Sequence, residues 1–269
     1  MPERRLTKIP PIRIEQRKSV NRFVETYAKW HLKAEVLGVE NILKAKELLL
    51  EQKVPVMGAF NHLGHLDGPL IAIEFNNFAP ALRDCYVPVM GEVIWRNILT
   101  RILMYAYNGV LVPSARLKPE EGDARSWAIR TDWQKQSDEA TIQDLSDLRF
   151  CCLSPEGGRT DGKMRAAYPK IARYFYFVPN LYLVPIGLWG GEKVFPPRTK
   201  IIFPPRFWRR PHINVGEPIS VRELEEEIGP SETEEENDQK LVDALMYRIA
   251  ELLPEEYRGY YATAPNPAG

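Results

Sequence analysis

Val54-Pro55-Val56-Met57-Gly58-Ala59-Phe60-Asn61-His62-Leu63-Gly64-His65-Leu66-Asp67-Gly68 is the stretch on which the fold turns. Val54 to Phe60 is an apolar run of strand length, and a helical pattern starts near Gly68. The polar residues between them therefore sit at the carboxyl end of a strand, where open α/β sheets place their ligands.

Outward from this stretch the same alternation continues. Cys85 to Met90, Val110 to Val112, Phe150 to Leu153, Tyr182 to Leu188 and His212 to Val215 read as further strands. Helical patterns fall at Ile42 to Glu51, Gly68 to Phe75, Ile94 to Tyr105 and Ser137 to Leu148. The expected class is α/β, with a mixed, largely parallel central sheet flanked by helices. An acidic stretch at 223–238 is expected to be a solvated helix and loop, followed by a last helix, Gln239 to Leu253, that Pro254 ends. Tyr174 to Gly191 holds 18 consecutive uncharged residues, near the length of a membrane span, but prolines and glycines divide it. Its Tyr182 to Ile186 portion reads instead as a buried strand of a sheet covered on both faces.

Composition restricts the function classes. The 269 residues are 44% hydrophobic and 27% charged, enough apolar material for a sizeable core. Lys plus Arg and Asp plus Glu are 36 each, so no global field steers the protein toward nucleic acid. Three cysteines, Cys85, Cys151 and Cys152, match neither a disulfide framework nor a zinc-finger spacing, which points to a reducing cytoplasm. Met1 to Arg5 leads into no apolar run of the signal-peptide kind, so secretion is not expected.

Charge is uneven locally. Residues 1–33 hold nine Lys/Arg against Glu3, Glu15 and Glu25. Val20, Phe23, Val24, Tyr27 and Trp30 share one helical face, with Arg17, Lys18, Asn21, Arg22 and Lys29 on the other. Two organisations follow: a basic amphipathic segment, 1–33, contacting a membrane ahead of one domain over 34–269, or a terminal helix docked on that domain. Arg198 to Arg210 holds five cations, no acid and three interleaved aromatics, a composition suited to a membrane interface or a phosphate-bearing ligand.

Four histidines, 31, 62, 65 and 212, restrict imidazole chemistry to few places. A separation of five residues across a tight turn lets Asp67 fold back on His62 and accept a hydrogen bond from one ring nitrogen. The other nitrogen is then a fixed acceptor, which makes His62 a general base whose imidazolium Asp67 stabilises. Ser154-Pro155-Glu156-Gly157-Gly158-Arg159 follows another apolar run; its paired glycines let backbone approach an anion, and Arg159 adds a planar bidentate donor. Arg116 lies just past the short strand at Val110 to Val112.

In this order the stretches resemble the glycerophosphate and lysophospholipid acyltransferases. Asn61-His62 through Asp67 is similar to the family's Asn-His-x4-Asp block, and Pro155-Glu156-Gly157-Gly158-Arg159 to its Pro-Glu-Gly-Thr-Arg block. Val184-Pro185-Ile186 and Val215-Gly216-Glu217-Pro218-Ile219 resemble two later blocks, so the likeness covers about residues 34 to 220. Gly64, Gly158 and Ser154 depart from the family's serine, threonine and phenylalanine, and Arg116 falls one residue late after Gly109. The resemblance implies that His62 is the base and Asp67 its orienting partner. It implies that Glu156, with Gly157 and Gly158, contacts the acceptor, and that Arg159 and Arg116 hold its phosphate. It further implies transfer of a fatty acyl chain from acyl-CoA or acyl carrier protein to a hydroxyl of a lysophospholipid such as lysophosphatidate. The setting would be the cytoplasmic face of a membrane, with the protein peripheral or monotopic and using no metal and no bound cofactor. Segment 117–148 is longer than usual for the family, which leaves room for a lid or a different acceptor.

Two other classes stay open. A metal-dependent hydrolase would use His62, His65 and Asp67 as ligands, since His65-x-Asp67 beside a histidine is ligand-like. Against it, the chain has no other His, Cys or acid cluster at ligand spacing, and Cys151 and Cys152, adjacent on a strand, would face opposite ways. A non-catalytic lipid-binding protein is the third class.

Overall fold

Along β3 (Val56–Phe60) successive side chains go to opposite sides: Val56 and Phe60 join one core cluster, Met57 and Ala59 another. The same period of two separates Cys152 from Cys151 on β6 (Phe150–Leu153), as expected of neighbours on a strand. A strand apolar on both faces needs helices on both. The computed structural model supplies them; it describes residues 8–31, 33–64, 67–91, 101, 104–113, 119, 122–194 and 210–263.

The remaining strands are β1 (Arg13–Ile14), β2 (Glu35–Leu37), β4 (Tyr86–Gly91), β5 (Gly109–Val112), β7 (Tyr182–Trp189), β8 (His212–Val215) and β9 (Ile219–Ser220). They form one nine-stranded sheet in the order β1-β5-β4-β6-β3-β7-β8-β2, with β9 also on β7. Of the eight pairings among the described residues, five are parallel and three antiparallel. The mixed, mostly parallel sheet read from the sequence is therefore present, and β3 lies between β6 and β7 at its centre.

On one side lie α1 (Lys18–His31), α2 (Val39–Leu50) and α3 (Asp67–Phe78), which bury Val24, Ile42, Leu49, Ile71 and Phe75 against Phe60, Phe150 and Ile186. On the other lie α4 (Ala124–Ser146), α5 (Arg173–Phe177), α6 (Val221–Ile228) and α7 (Glu234–Glu251), with Leu145, Leu224, Leu245 and Ile249 against Met57, Leu153 and Leu183.

Two readings of the sequence are corrected. The helix expected at Ser137 to Leu148 begins thirteen residues earlier, where Asp123 caps it by accepting the amide of Ser126 at 3.0 Å. Its pattern is masked because its buried face is partly polar: Trp133 Nε1 and Ser137 Oγ both donate to the carbonyl of Leu111 on β5. The acidic stretch opens, as expected, with a mostly exposed helix, started by a Ser220/Glu223 capping box, and a loop at 229–233. The helix expected at Gln239 to Leu253 starts at Glu234, where three glutamates in its first turn favour the positive end of the helix dipole, and it is not the last, since a short helix, Glu255–Arg258, follows Pro254. The helix expected at Ile94 to Tyr105 lies almost wholly outside the described residues.

The apolar stripe of α1 divides. Val20 and Val24 pack on the core, and Asn21 Nδ2 donates to the carbonyl of Ala106 at 2.9 Å, whereas Phe23 is 70% exposed and Lys18 and Arg22 of the same helix are exposed too. The 18-residue uncharged stretch becomes α5, a turn and β7, and no helix among the described residues is long and apolar enough to cross a membrane.

Candidate active site

β3 ends at Phe60, and the next residue, Asn61, is 1% exposed with its amide turned toward β7. Nδ2 donates to the carbonyl of Leu188 at 2.9 Å, and Oδ1 accepts from the amide of Leu188 at 2.7 Å. One side chain thus takes the place of a strand partner and fixes where the loop leaves the sheet.

His62 follows. Its Nδ1 lies 2.9 Å from Asp67 Oδ2, and that oxygen also accepts the amides of Leu63 and Gly64, each at 2.7 Å. Three donors on one oxygen turn the loop tightly enough for a carboxylate at the first residue of α3 to reach back to the ring. The positive end of the α3 dipole favours the negative charge there. From β4, Tyr86 Oη donates to the carbonyl of Gly68 at 2.9 Å and braces that first turn. The ring packs edge-on to Phe60, with centroids 5.9 Å apart. With Nδ1 facing Asp67, Nε2 is the ring nitrogen left for a reactant, and the side chain is 22% exposed.

The second loop follows β6, parallel to β3, so it emerges at the same end of the sheet. Gly157 adopts φ 61°, a left-handed conformation that side chains disfavour, and its amide donates to the carbonyl of Ser154 at 3.2 Å to close the turn. The carbonyl of Gly158 accepts from Arg165 Nη2 at 2.8 Å. Arg159 is partly exposed. Glu156 points inward: Oε1 accepts the amide of His62 and Oε2 the amide of Arg165, both at 2.9 Å, in a residue 1% exposed. Burial raises its carboxyl from the ordinary 4.5 to about 7, against the opposing pull of those two amides and of the His62 and Arg165 charges.

Thr160 completes the junction, its amide donating to the carbonyl of His62 at 2.8 Å and its hydroxyl to the same oxygen at 3.2 Å. The backbone of His62 is therefore held at both its N–H and its C=O by the second loop. Behind that loop the C-terminal turn supports it: the amide of Met164 donates to Tyr257 O at 2.9 Å, and the amide of Ala167 to Tyr261 Oη at 3.0 Å.

Of the residues singled out from the sequence, the fold brings together His62, Asp67, Glu156, Gly157, Gly158 and Arg159. Arg116 and His65 lie outside the described residues, as does Arg198–Arg210 except for Arg210. No group of three His, Cys, Asp or Glu side chains among the described residues stands as a metal-holding cluster. Thr160, Arg165 and the partnership of Asn61 with Leu188 were not anticipated. The position of Asn61, directly after the last strand residue and ahead of the histidine, was the available signal.

No protein-family model matches the chain, and no curated protein matches it by sequence. Among solved structures it is similar to the crystal structure of the 1-acyl-sn-glycerophosphate (LPA) acyltransferase PlsC from Thermotoga maritima. The TM-score is 0.51 at 16% sequence identity, over 87% of this chain and 79% of that chain. At that identity the likeness is one of fold: the mixed sheet flanked by helices described above is the architecture of a structure solved for an acyltransferase.

Proposed function

We propose that the protein is an O-acyltransferase that moves a fatty acyl chain from an acyl thioester to a hydroxyl of a phosphate-bearing lysolipid such as lysophosphatidate, in phospholipid biosynthesis. The observation that carries the reading is the His62 Nδ1 to Asp67 Oδ2 contact of 2.9 Å, which leaves Nε2 as the ring nitrogen that Asp67 does not engage, on a partly exposed side chain just past the end of the central strand. The similarity of fold to the Thermotoga acyltransferase supports it, as do the sequence blocks around His62 and Arg159.

In this reaction Nε2 takes the proton of the acceptor hydroxyl while its oxygen attacks the thioester carbonyl. Asp67 holds the tautomer and compensates the imidazolium. The tetrahedral intermediate collapses by breaking the carbon–sulfur bond, and the imidazolium proton passes to the departing thiolate, giving an ester and a free thiol. No protein nucleophile is consumed, and neither a metal nor a bound cofactor enters. Arg159, with Arg116, engages the acceptor phosphate through the guanidinium fork. The donor is acyl-CoA or acyl carrier protein, and the protein works at the cytoplasmic face of a membrane as a peripheral or monotopic enzyme.

The test incubates purified protein with acyl-CoA or acyl carrier protein and a panel of lysolipids and glycerol 3-phosphate, reading thiol release and product mass. Thiol released in step with an acylated phospholipid is the expected result. Absence of both with every pair, or thiol release with free fatty acid as the sole product, overturns the proposal.

A further inference from the structure

We propose that Glu156 is a positioning residue for this reaction: its carboxylate, by accepting the amides of His62 and Arg165, locks the loop bearing the base to the loop bearing Arg159, and proton uptake releases the lock. The inference rests on His62 being the base.

The chemistry of the contacts favours an ionised carboxylate. Both groups facing Glu156 are N–H donors, and a carboxylate offers only acceptors. Protonation makes one of its oxygens a hydroxyl, a much weaker acceptor than a carboxylate oxygen, and so loosens that half of the bridge. The bridge also reaches the chemistry directly, because His62 hangs from the same peptide whose N–H Glu156 holds, while Thr160 on the same loop holds its C=O. Burial brings the release into the neutral range, with the carboxyl at about 7; the His62 ring and Arg165 are the charged groups that oppose burial.

The sign of the linkage separates this lock from acid unfolding. A carboxyl whose folded value lies above its unfolded one stabilises the fold fully below the ordinary 4.5, and that contribution is lost as pH rises toward about 7. The lock forms over the same interval. Activity should therefore fall on acidification while this group's contribution to stability increases.

The test compares wild type with Glu156→Gln, in pH profiles of kcat and in both Michaelis constants. The acidic limb of log kcat should be steeper in the wild type than in the variant by one proton, the one that Glu156 takes up. The amide can accept only one of the two N–H groups well, so kcat should fall by about tenfold on the alkaline plateau with acceptor KM nearly unchanged. A raised acceptor KM with kcat intact would make Glu156 a substrate contact and overturn the proposal, as would equal slopes. If the variant does not fold, the wild type alone decides: the amide protons of His62 and Arg165 should titrate together with the Glu156 carboxyl by NMR, and amides that stay fixed refute the lock. That NMR measurement needs no turnover, so it separates failure of the lock from failure of the acyl-transfer reading.

Discussion

Asn61 and Leu188, 127 positions apart in the chain, exchange two hydrogen bonds through a single side chain, Nδ2 to carbonyl at 2.9 Å and amide to Oδ1 at 2.7 Å. Asn61→Ala removes both and leaves a buried N–H and a buried C=O on β7 without partners. Each such group costs about 1–3 kcal/mol, so urea denaturation should show a loss of about 2–6 kcal/mol with an unchanged m-value. Asn61→Asp should be worse, since it sets a buried carboxylate against the Leu188 carbonyl. An alanine variant as stable as wild type would show that the clamp is dispensable.

His62 and Asp67 should give different losses. His62→Ala should lower acyl transfer by about 10²- to 10⁴-fold with the fold intact, because it removes proton acceptance. Asp67→Asn should lose activity and also about 1–3 kcal/mol of stability, since Asp67 Oδ2 holds the Leu63 and Gly64 amides as well as the ring. His65→Ala should be mild and chelators without effect. In a metal-dependent hydrolase the His65 variant would be as impaired as the His62 variant and the wild type chelator-sensitive. Assaying the three variants with and without chelator decides between these outcomes.

The parts of this site that the sequence showed are those set by local rules. An apolar run before Asn61 and a helical pattern after Asp67 define strand, loop and helix, and a five-residue spacing brings His62 and Asp67 together within one turn. The glycine pair marked the second loop because Gly157 needs positive φ. What was hidden depends on which strands become neighbours. The inward turn of Glu156 and the grip of Thr160 on the His62 carbonyl exist only because β6 lies beside β3, a pairing made across 94 residues. Helix α4 was half-read for a related reason. Its buried Trp133 and Ser137 bond the backbone of β5, so the face turned inward does not look apolar until that strand is in place.

Thr160 permits a graded test of the junction. Thr160→Val removes only the 3.2 Å hydroxyl contact and keeps the 2.8 Å amide bond to His62 O, so kcat should fall by no more than about threefold. Thr160→Pro removes the amide donor and should cost at least about tenfold. Equal activity in the two variants, measured with saturating donor and acceptor, would show that the carbonyl clamp does not position the ring.

Arg159 tests the acceptor assignment. Arg159→Lys keeps the charge but loses the bidentate fork, so acceptor KM should rise by about tenfold while donor KM stays within about twofold. Equal changes in both constants would count against a phosphate contact. A parallel assay with acceptors lacking phosphate sharpens the result, since on these the variant and the wild type should perform alike.

The prediction of membrane contact through α1 rests on a division of its surface. Asn21 and Val24 dock the helix on the domain, while Phe23 stands 70% exposed and Lys18 and Arg22 are exposed on the same helix. Cations near an anionic surface contribute on the order of 1 kcal/mol each and are screened by salt, whereas an inserted aromatic contributes a salt-insensitive part. Wild type should therefore float with anionic liposomes at low salt and bind more weakly, but measurably, at high salt. Phe23→Ser should remove mainly the residual high-salt binding, lowering the partition coefficient there by about tenfold, a part of what full burial of a phenylalanine supplies. Because the side chain is solvent-exposed, the same substitution should change stability by no more than about 0.5 kcal/mol, so loss of binding cannot be blamed on unfolding. No flotation of the wild type at low salt, or flotation of the variant indistinguishable from wild type at high salt, would remove α1 from the membrane-contacting surface.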